Sequence, residues 1–197
     1  MTALVLALPG SEAVGQAVST HTTFPLGAVE SRSFPDGETY LRVDADCAGA
    51  SVVVVGTLDR PDPKLLPLVF LADAARAQGA RRVGLVAPYL AYMRQDTQFR
   101  PGEAVTSRTF AALLSTQVDW LVTVDPHLHR YRALDEIYRV PTRVVHAAPA
   151  LAACAQACSA ATWFSTRSIT RLIPLARRFI ASCRRSSMVP RSLRTRR

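Results

Sequence analysis

RVGLVAPYLAYMRQD, residues 82–96, decides the fold. Its first six residues are rich in Val and Leu, carry no charge after Arg82, and are closed by Pro88. A continuous apolar run of that length suits a strand covered on both faces, as in a parallel sheet between helices. Arg94, Gln95 and Asp96 follow within a few residues. They therefore belong to the carboxyl end of that strand, where ligands bind in an open α/β sheet.

Three further runs read the same way: residues 3–8, 51–55 and 120–124 are short, Val- and Leu-rich and bounded by Pro, Gly or Asp. Between them lie helical patterns. Asp62 is placed to cap a helix with Pro63 at its first position, with Leu65, Leu66, Val69 and Ala72 at helical spacing and Gly79 as the stop. A second helix is expected over 104–117, burying Phe110, Leu113 and Leu114. Residues 30–43 differ, alternating polar and apolar after the turn-forming Pro35-Asp36-Gly37, which predicts a small β-flap or hairpin at the sheet edge. Strand alternating with helix predicts an α/β fold, doubly wound, with a mostly parallel sheet. Exposed sheet edges are often where subunits meet.

Charge divides the chain. Residues 1–150 hold 14 Lys and Arg against all 15 Asp and Glu, a net of −1, whereas residues 151–197 hold 10 Arg and no acid. The sequence pI of about 10.2 thus describes the tail and not the body. Global basicity is no argument for nucleic acid here, and no specific nucleic-acid partner is expected. We expect one domain over 1–152 and a basic tail over 153–197 to which no domain is assigned, irregular or helical, with one weak helical series around 169–180. Residues 3–8 are too short, and lack the preceding basic region, for a secretory signal, so a cytoplasmic home is expected. Residues 144–166 are uncharged but rich in alanine, with His146, Pro149 and Gln156, and are not expected to span a membrane. Cys47, Cys154, Cys158 and Cys183 form no CxxC pair and read as small buried thiols.

The chemistry sits in three polar clusters: FPDGE (34–38), YMRQD (92–96) and VDPHLH (124–129). Neither GxxxxGK[ST] nor GxGxxG occurs, so any triphosphate must be neutralised by another arrangement. The Arg94 guanidinium can engage phosphate oxygens in pairs, and the Gln95 amide can donate and accept. The alternative for Arg94 is a solvated arginine paired with Asp96. Gly37 permits a tight turn, and Asp36 and Glu38 can accept from an amino group or a ribose hydroxyl; by itself Pro-Asp-Gly is simply a turn. Asp125 and His127 end a buried strand, where an imidazole could ligate a metal or a metal-bound water. Magnesium prefers oxygen, so one histidine makes a modest site for it. His129 is either a second ligand or a surface residue. No Gly-x-Ser-x-Gly elbow supports a serine hydrolase.

In order and spacing, SFPDGETYLRV (33–43), LVAPYLAYMRQD (85–96), WLVTVDPHLHRY (120–131) and VPTRVVHAAP (140–149) resemble the ribose-phosphate pyrophosphokinase family over residues 1–152, its amino-terminal domain. The resemblance implies a phosphoribosyltransferase-like fold and magnesium-dependent transfer of the diphosphoryl group of ATP to ribose 5-phosphate, giving phosphoribosyl pyrophosphate and AMP. It implies that Asp36, Gly37 and Glu38 contact the adenine end of ATP, that Arg94 and Gln95 bind the nucleotide, and that His127 helps hold Mg2+. It also implies a homo-oligomer, in which the FPDGE segment reaches a neighbouring subunit's site.

Departures from the family pattern accompany the matches. Asp96 is followed by Thr97 and Gln98, where many members have basic residues. Nothing in residues 153–197 matches the family's second domain, with its catalytic lysine, further metal-binding acid and acidic Thr-Gly loop for the ribose phosphate. The expectation is a chain inactive alone, its tail the product of a frame-shifted reading. The alternative function is that of a non-catalytic regulatory or assembly subunit.

Overall fold

The computed structural model describes residues 2–161, with side chains to residue 156. The chain divides into two units after His146. In the first, the strands are β1 (Ala3–Ala7), β2 (Leu26–Ser33), β3 (Thr39–Asp44), β4 (Ser51–Val55), β5 (Arg82–Ala87), β6 (Trp120–Val124) and β7 (Thr142–Val145). The helices are α1 (Glu12–Thr22), α2 (Asp62–Ala77) and α3 (Thr106–Gln117), with a 3-10 turn at Leu134–Glu136. The described part of the second unit is α4 (Ala148–Ala161).

The seven strands form one sheet in the order β3-β2-β1-β4-β5-β6-β7. Every neighbouring pair is parallel except β2 and β3, which run antiparallel with Ser33 opposite Thr39 and Ala28 opposite Asp44. This is the predicted α/β fold with its edge hairpin. The register explains the unbroken apolar runs: Val53 of β4 lies between Val5 of β1 and Gly84 of β5, so both faces must be covered. On one face Leu4, Leu6, Val52, Val54, Val83, Leu85 and Leu121 pack against Leu68, Leu71 and Ala75 of α2 and Phe110 and Leu114 of α3. On the other, Val5, Val53 and Val55 meet Val14 and Val18 of α1, with Val86 and Trp120 alongside. Each fully buried Leu or Val contributes about 1.5–3 kcal/mol relative to exposure. Gly84 belongs to that second face for a steric reason: a Cβ there would lie 1.8 Å from the Trp120 indole.

Four expectations need correction. The buried stripe of α2 is Leu68, Leu71, Ala72 and Ala75, whereas Leu66 is 58% exposed. The run LLPLVFLA is apolar all round, so periodicity finds the helix but not its phase. Asp62 does not cap α2: Pro61 holds the cap position, and the Asp62 carboxylate instead accepts the Tyr92 hydroxyl. In α3, Leu113 is exposed while Phe110, Ala111 and Leu114 are buried. Cys47 is a buried thiol, but Cys154 is exposed on α4.

Gly79, at φ +87°, ends α2 as predicted, in a left-handed conformation that only glycine adopts without strain. The weak helical series around 169–180, Cys183 and the basic tail lie outside the described residues. Among those described, no helix is long and apolar enough to cross a membrane.

Candidate functional site

Past β5 the chain is held so that one side chain is left outside. Tyr92 takes a left-handed φ of +58°. Its ring leans on Phe110 at 4.8 Å between centroids and its hydroxyl donates to Asp62, a bond that raises the Tyr92 pKa. Met93 turns inward and is buried, and the next residue, Arg94, is exposed. Gln95 is half-buried against the start of α3: its carbonyl accepts the Ser107 N–H at 3.3 Å and its Oε1 accepts the Thr106 hydroxyl at 3.4 Å. Asp96 is buried and pairs with Arg130 at 2.7 Å. The pairing of Arg94 with Asp96 that the sequence left open is therefore not made; a different arginine occupies the carboxylate.

Past β6 the chain turns at Asp125, whose φ is +39°, a conformation that Asp tolerates better than most residues. The Asp125 carboxylate accepts from His146 Nδ1 at 2.9 Å, because β6 and β7 are paired through Val124 and Val145 and the next residue of each strand meets its neighbour. His127 and His129 stack, with centroids 4.2 Å apart and planes 11° from parallel. Between the two loops lies a cleft of about 390 Å³, with Tyr89, Leu90, Met93 and Arg94 on one wall and residues 124–129 on the other. Arg94, Asp125, His127 and His129 are thus brought together at the carboxyl ends of adjacent strands.

The third cluster lies elsewhere. FPDGE forms the tip of the β2–β3 hairpin, with Gly37 at φ +92° donating to the Phe34 carbonyl at 2.9 Å and the Glu38 N–H donating to Asp36 Oδ1 at 3.1 Å. β2 pairs with β1 only through Leu26 and Gly27. Residues 29–33 therefore overhang the carboxyl edge of β1, which ends at Ala7, by roughly 17 Å at a strand's rise per residue. At the tip the Arg32 guanidinium sits 4.7 Å from the Phe34 ring centroid and 4.3 Å from that of Tyr40. Asp36, Gly37 and Glu38 do not line the cleft.

Sequence reading missed Arg130, Tyr131 and Glu103. The Tyr131 hydroxyl bonds Ser107 at 2.9 Å and donates to the Asp96 carbonyl at 3.3 Å. Glu103 Oε2 accepts the N–H groups of Phe99 and Arg100, closing the loop that follows Asp96. These are long-range or loop-internal bonds with no periodic signal. No group of three or more His, Cys, Asp or Glu among the described residues is placed to hold a metal alone. The donors present in the cleft, imidazole and one carboxylate, fit Mg2+ only as an ion that brings phosphate and water oxygens with it.

Residues 3–117 match the model of the N-terminal domain of ribose phosphate pyrophosphokinase. The chain is 36% identical over 126 residues to the ribose-phosphate pyrophosphokinase of Saccharolobus solfataricus, covering 63% of this chain and 43% of that protein. To that of Methanothermobacter thermautotrophicus it is 35% identical over 150 residues, covering 76% and 52%. In fold it is similar to phosphoribosylpyrophosphate synthetase from Mycobacterium smegmatis, with a TM-score of 0.67 at 24% identity, over 77% of this chain and 50% of that one. The chain thus spans about half the length of the curated relatives it matches. A parallel sheet with this edge hairpin, the cleft at its carboxyl ends and a family match over more than half of the sequence agree: the chain belongs to the ribose-phosphate pyrophosphokinase family.

Proposed function

We propose that the cleft beyond β5 and β6 takes the phosphates of ATP, and that the protein serves, in the cytoplasm, in transfer of the diphosphoryl group of ATP to the anomeric hydroxyl of ribose 5-phosphate for nucleotide biosynthesis. The observation that carries this reading is the meeting of Arg94 with His127 and His129 in one cleft. In-line attack at the β-phosphorus needs positioning and charge neutralisation rather than a covalent intermediate. Arg94 supplies a permanent charge and a planar fork of donors for phosphate oxygens. Gln95, the next residue after Arg94, does not line the cleft and has its Oε1 taken by Thr106, so only its amide N–H groups are left to bind the nucleotide as the family resemblance implies. His127 would hold Mg2+ together with phosphate and water oxygens; the ion's contribution is to neutralise and polarise the phosphoryl oxygens.

Asp36, Gly37 and Glu38 act at the adenine end of ATP in a neighbouring copy, which makes the working unit a homo-oligomer. The overhang of the hairpin, at the opposite side of the sheet from β5 and β6, and the absence of its tip from the cleft lining support that assignment. Residues 153–197 offer no lysine, acid or Thr-Gly loop for the ribose phosphate. The 197-residue chain alone is therefore expected to show no AMP release dependent on ribose 5-phosphate, the half it carries being the nucleotide half.

Titration calorimetry with ATP, with and without Mg2+, tests the reading. Arg94→Met is expected to weaken binding about 10- to 100-fold, the equivalent of about 1.5–3 kcal/mol for a charge-assisted hydrogen bond. His127→Ala is expected to reduce the gain in affinity that Mg2+ gives. A wild-type chain that binds no ATP at millimolar concentration, or an Arg94→Met variant that binds as the wild type does, overturns it.

A further inference from the structure

The Asp96 side chain is wholly inaccessible to solvent, yet it carries a carboxylate whose Oδ1 is met by Arg130 Nη1 at 2.7 Å and whose Oδ2 has no partner among the described residues. A carboxylate is costly to bury and rarely stays buried unpaired, so Arg130 is tied to this point although half of its own side chain is exposed. The two residues continue the two loops whose earlier residues form opposite walls of the cleft, without lining it themselves. Asp96 follows Arg94 by two positions on the loop beyond β5, and Arg130 follows His129 directly on the loop beyond β6. The same two loops are tied again where the Tyr131 hydroxyl reaches the Asp96 carbonyl. Arg130 also lies 5.1 Å over the Phe99 ring, which holds the segment after Asp96 to the same guanidinium.

We propose that the Asp96–Arg130 ion pair is a brace between the two loops that wall the cleft, and that both are positioning residues that hold Arg94 on one wall and the His129–His127 stack on the other at the separation a triphosphate needs. The linkage runs through adjacent backbone: fixing Arg130 fixes His129, and the stacked ring of His129 orients His127. On the other wall, a buried Asp96 behind a buried Met93 leaves Arg94 a short span between two fixed points. A single bidentate-capable guanidinium suits this role because its planar fork holds direction as well as charge. The affinity consequence rests on the nucleotide reading above; the geometric one does not.

The test compares the wild-type chain with Arg130→Gln and Arg130→Lys by two readouts. The first is the proton NMR spectrum of the four histidines, in which the stacked rings of His127 and His129 shift one another and His21 on α1 serves as the internal control. The second is the affinity for ATP by calorimetry. In Arg130→Gln, the His127 and His129 ring signals are expected to move toward unstacked values with His21 unchanged, and ATP affinity is expected to fall about 10-fold. Arg130→Lys keeps the charge and one bond to Oδ1, and is expected to give an intermediate ring shift and a smaller loss. If Arg130→Gln does not fold, Arg130→Lys decides on the same two readouts. A lowered melting temperature with ring signals and affinity as in the wild type would make the pair a stabilising contact only and overturn the proposal. A wild-type chain that binds no ATP would defeat the nucleotide reading, while the ring signals would still decide the brace.

Discussion

Each of the three polar clusters contains one residue with a left-handed backbone: Gly37, Tyr92 and Asp125. Tyrosine has no intrinsic ease there, so the contacts of its ring with Phe110 and of its hydroxyl with Asp62 hold a conformation that would otherwise relax. Tyr92→Phe, which keeps the ring and removes the donor, is expected to lower stability by about 1–2 kcal/mol and to weaken any ligand held by Arg94, measured by urea unfolding and calorimetry. Asp59 offers a pH test. Burial acts to raise its carboxyl, but the hydrogen bond and charge of Lys64 outweigh that, and its pKa is lowered from 3.8. A group depressed in the folded state adds stability above its unfolded pKa and loses it as pH falls through the folded one. Unfolding between pH 6 and pH 2 is therefore expected to show an acid-limb loss below about pH 4 that is smaller in Asp59→Asn. At this scale the polar types were legible and their partners were not: Arg94 and Asp96 are two residues apart, yet Asp96 is claimed by Arg130, 34 positions away.

For the elements, strand positions could be read because a strand buried on both faces must be apolar throughout, and β4, β5 and β6 lie where their Val- and Leu-rich runs begin and end. Helix phase could not be read in α2, where every face offers a Leu, Val or Phe. The corrected phase makes a sharp prediction: Leu68→Ala should cost about 2–5 kcal/mol, and Leu66→Ala within about 0.5 kcal/mol of nothing, both by urea unfolding. Equal losses would restore the original face. α1 and β7 escaped sequence reading for a related reason. α1 is rich in Thr, Ser and Val, and only Gly15 is buried in it; β7 is four residues long with alternate positions exposed. Gly84 shows what a pattern cannot carry, since its place depends on an indole from the next strand. Gly84→Ala must displace the Trp120 ring and is expected to destabilise by about 1–3 kcal/mol, with a change in tryptophan fluorescence.

At the level of the whole molecule, the strand order reverses between β1 and β4, with α1 on one face and α2 and α3 on the other. Ligands in open α/β sheets favour such a reversal point; here the loops that follow β1 and β4 are tied to each other. Ser11 Oγ accepts the Thr57 N–H at 3.0 Å, and Lys64 donates to the Thr57 carbonyl at 2.7 Å. The cleft lined by Arg94, His127 and His129 lies at the same carboxyl edge of the sheet, beyond a different pair of strands, β5 and β6. The edge hairpin completes the argument. Arg32, Phe34 and Tyr40 form a cation–aromatic cluster on an overhang of roughly 17 Å, with Phe34 38% exposed, an arrangement that a second surface could cover. If that surface belongs to a second copy, sedimentation equilibrium should give a mass above one chain. Phe34→Ser should shift the protein toward monomer while the monomer keeps its fold, since Phe34 is outside both cores. Adding ATP should then favour association in the wild type and not in Phe34→Ser, because a nucleotide held between the cleft of one copy and the hairpin of another links the two equilibria. A wild-type chain that is monomeric with and without nucleotide would leave the hairpin without a partner of its own kind, and the assignment of Asp36, Gly37 and Glu38 to a neighbour's adenine would fall with it.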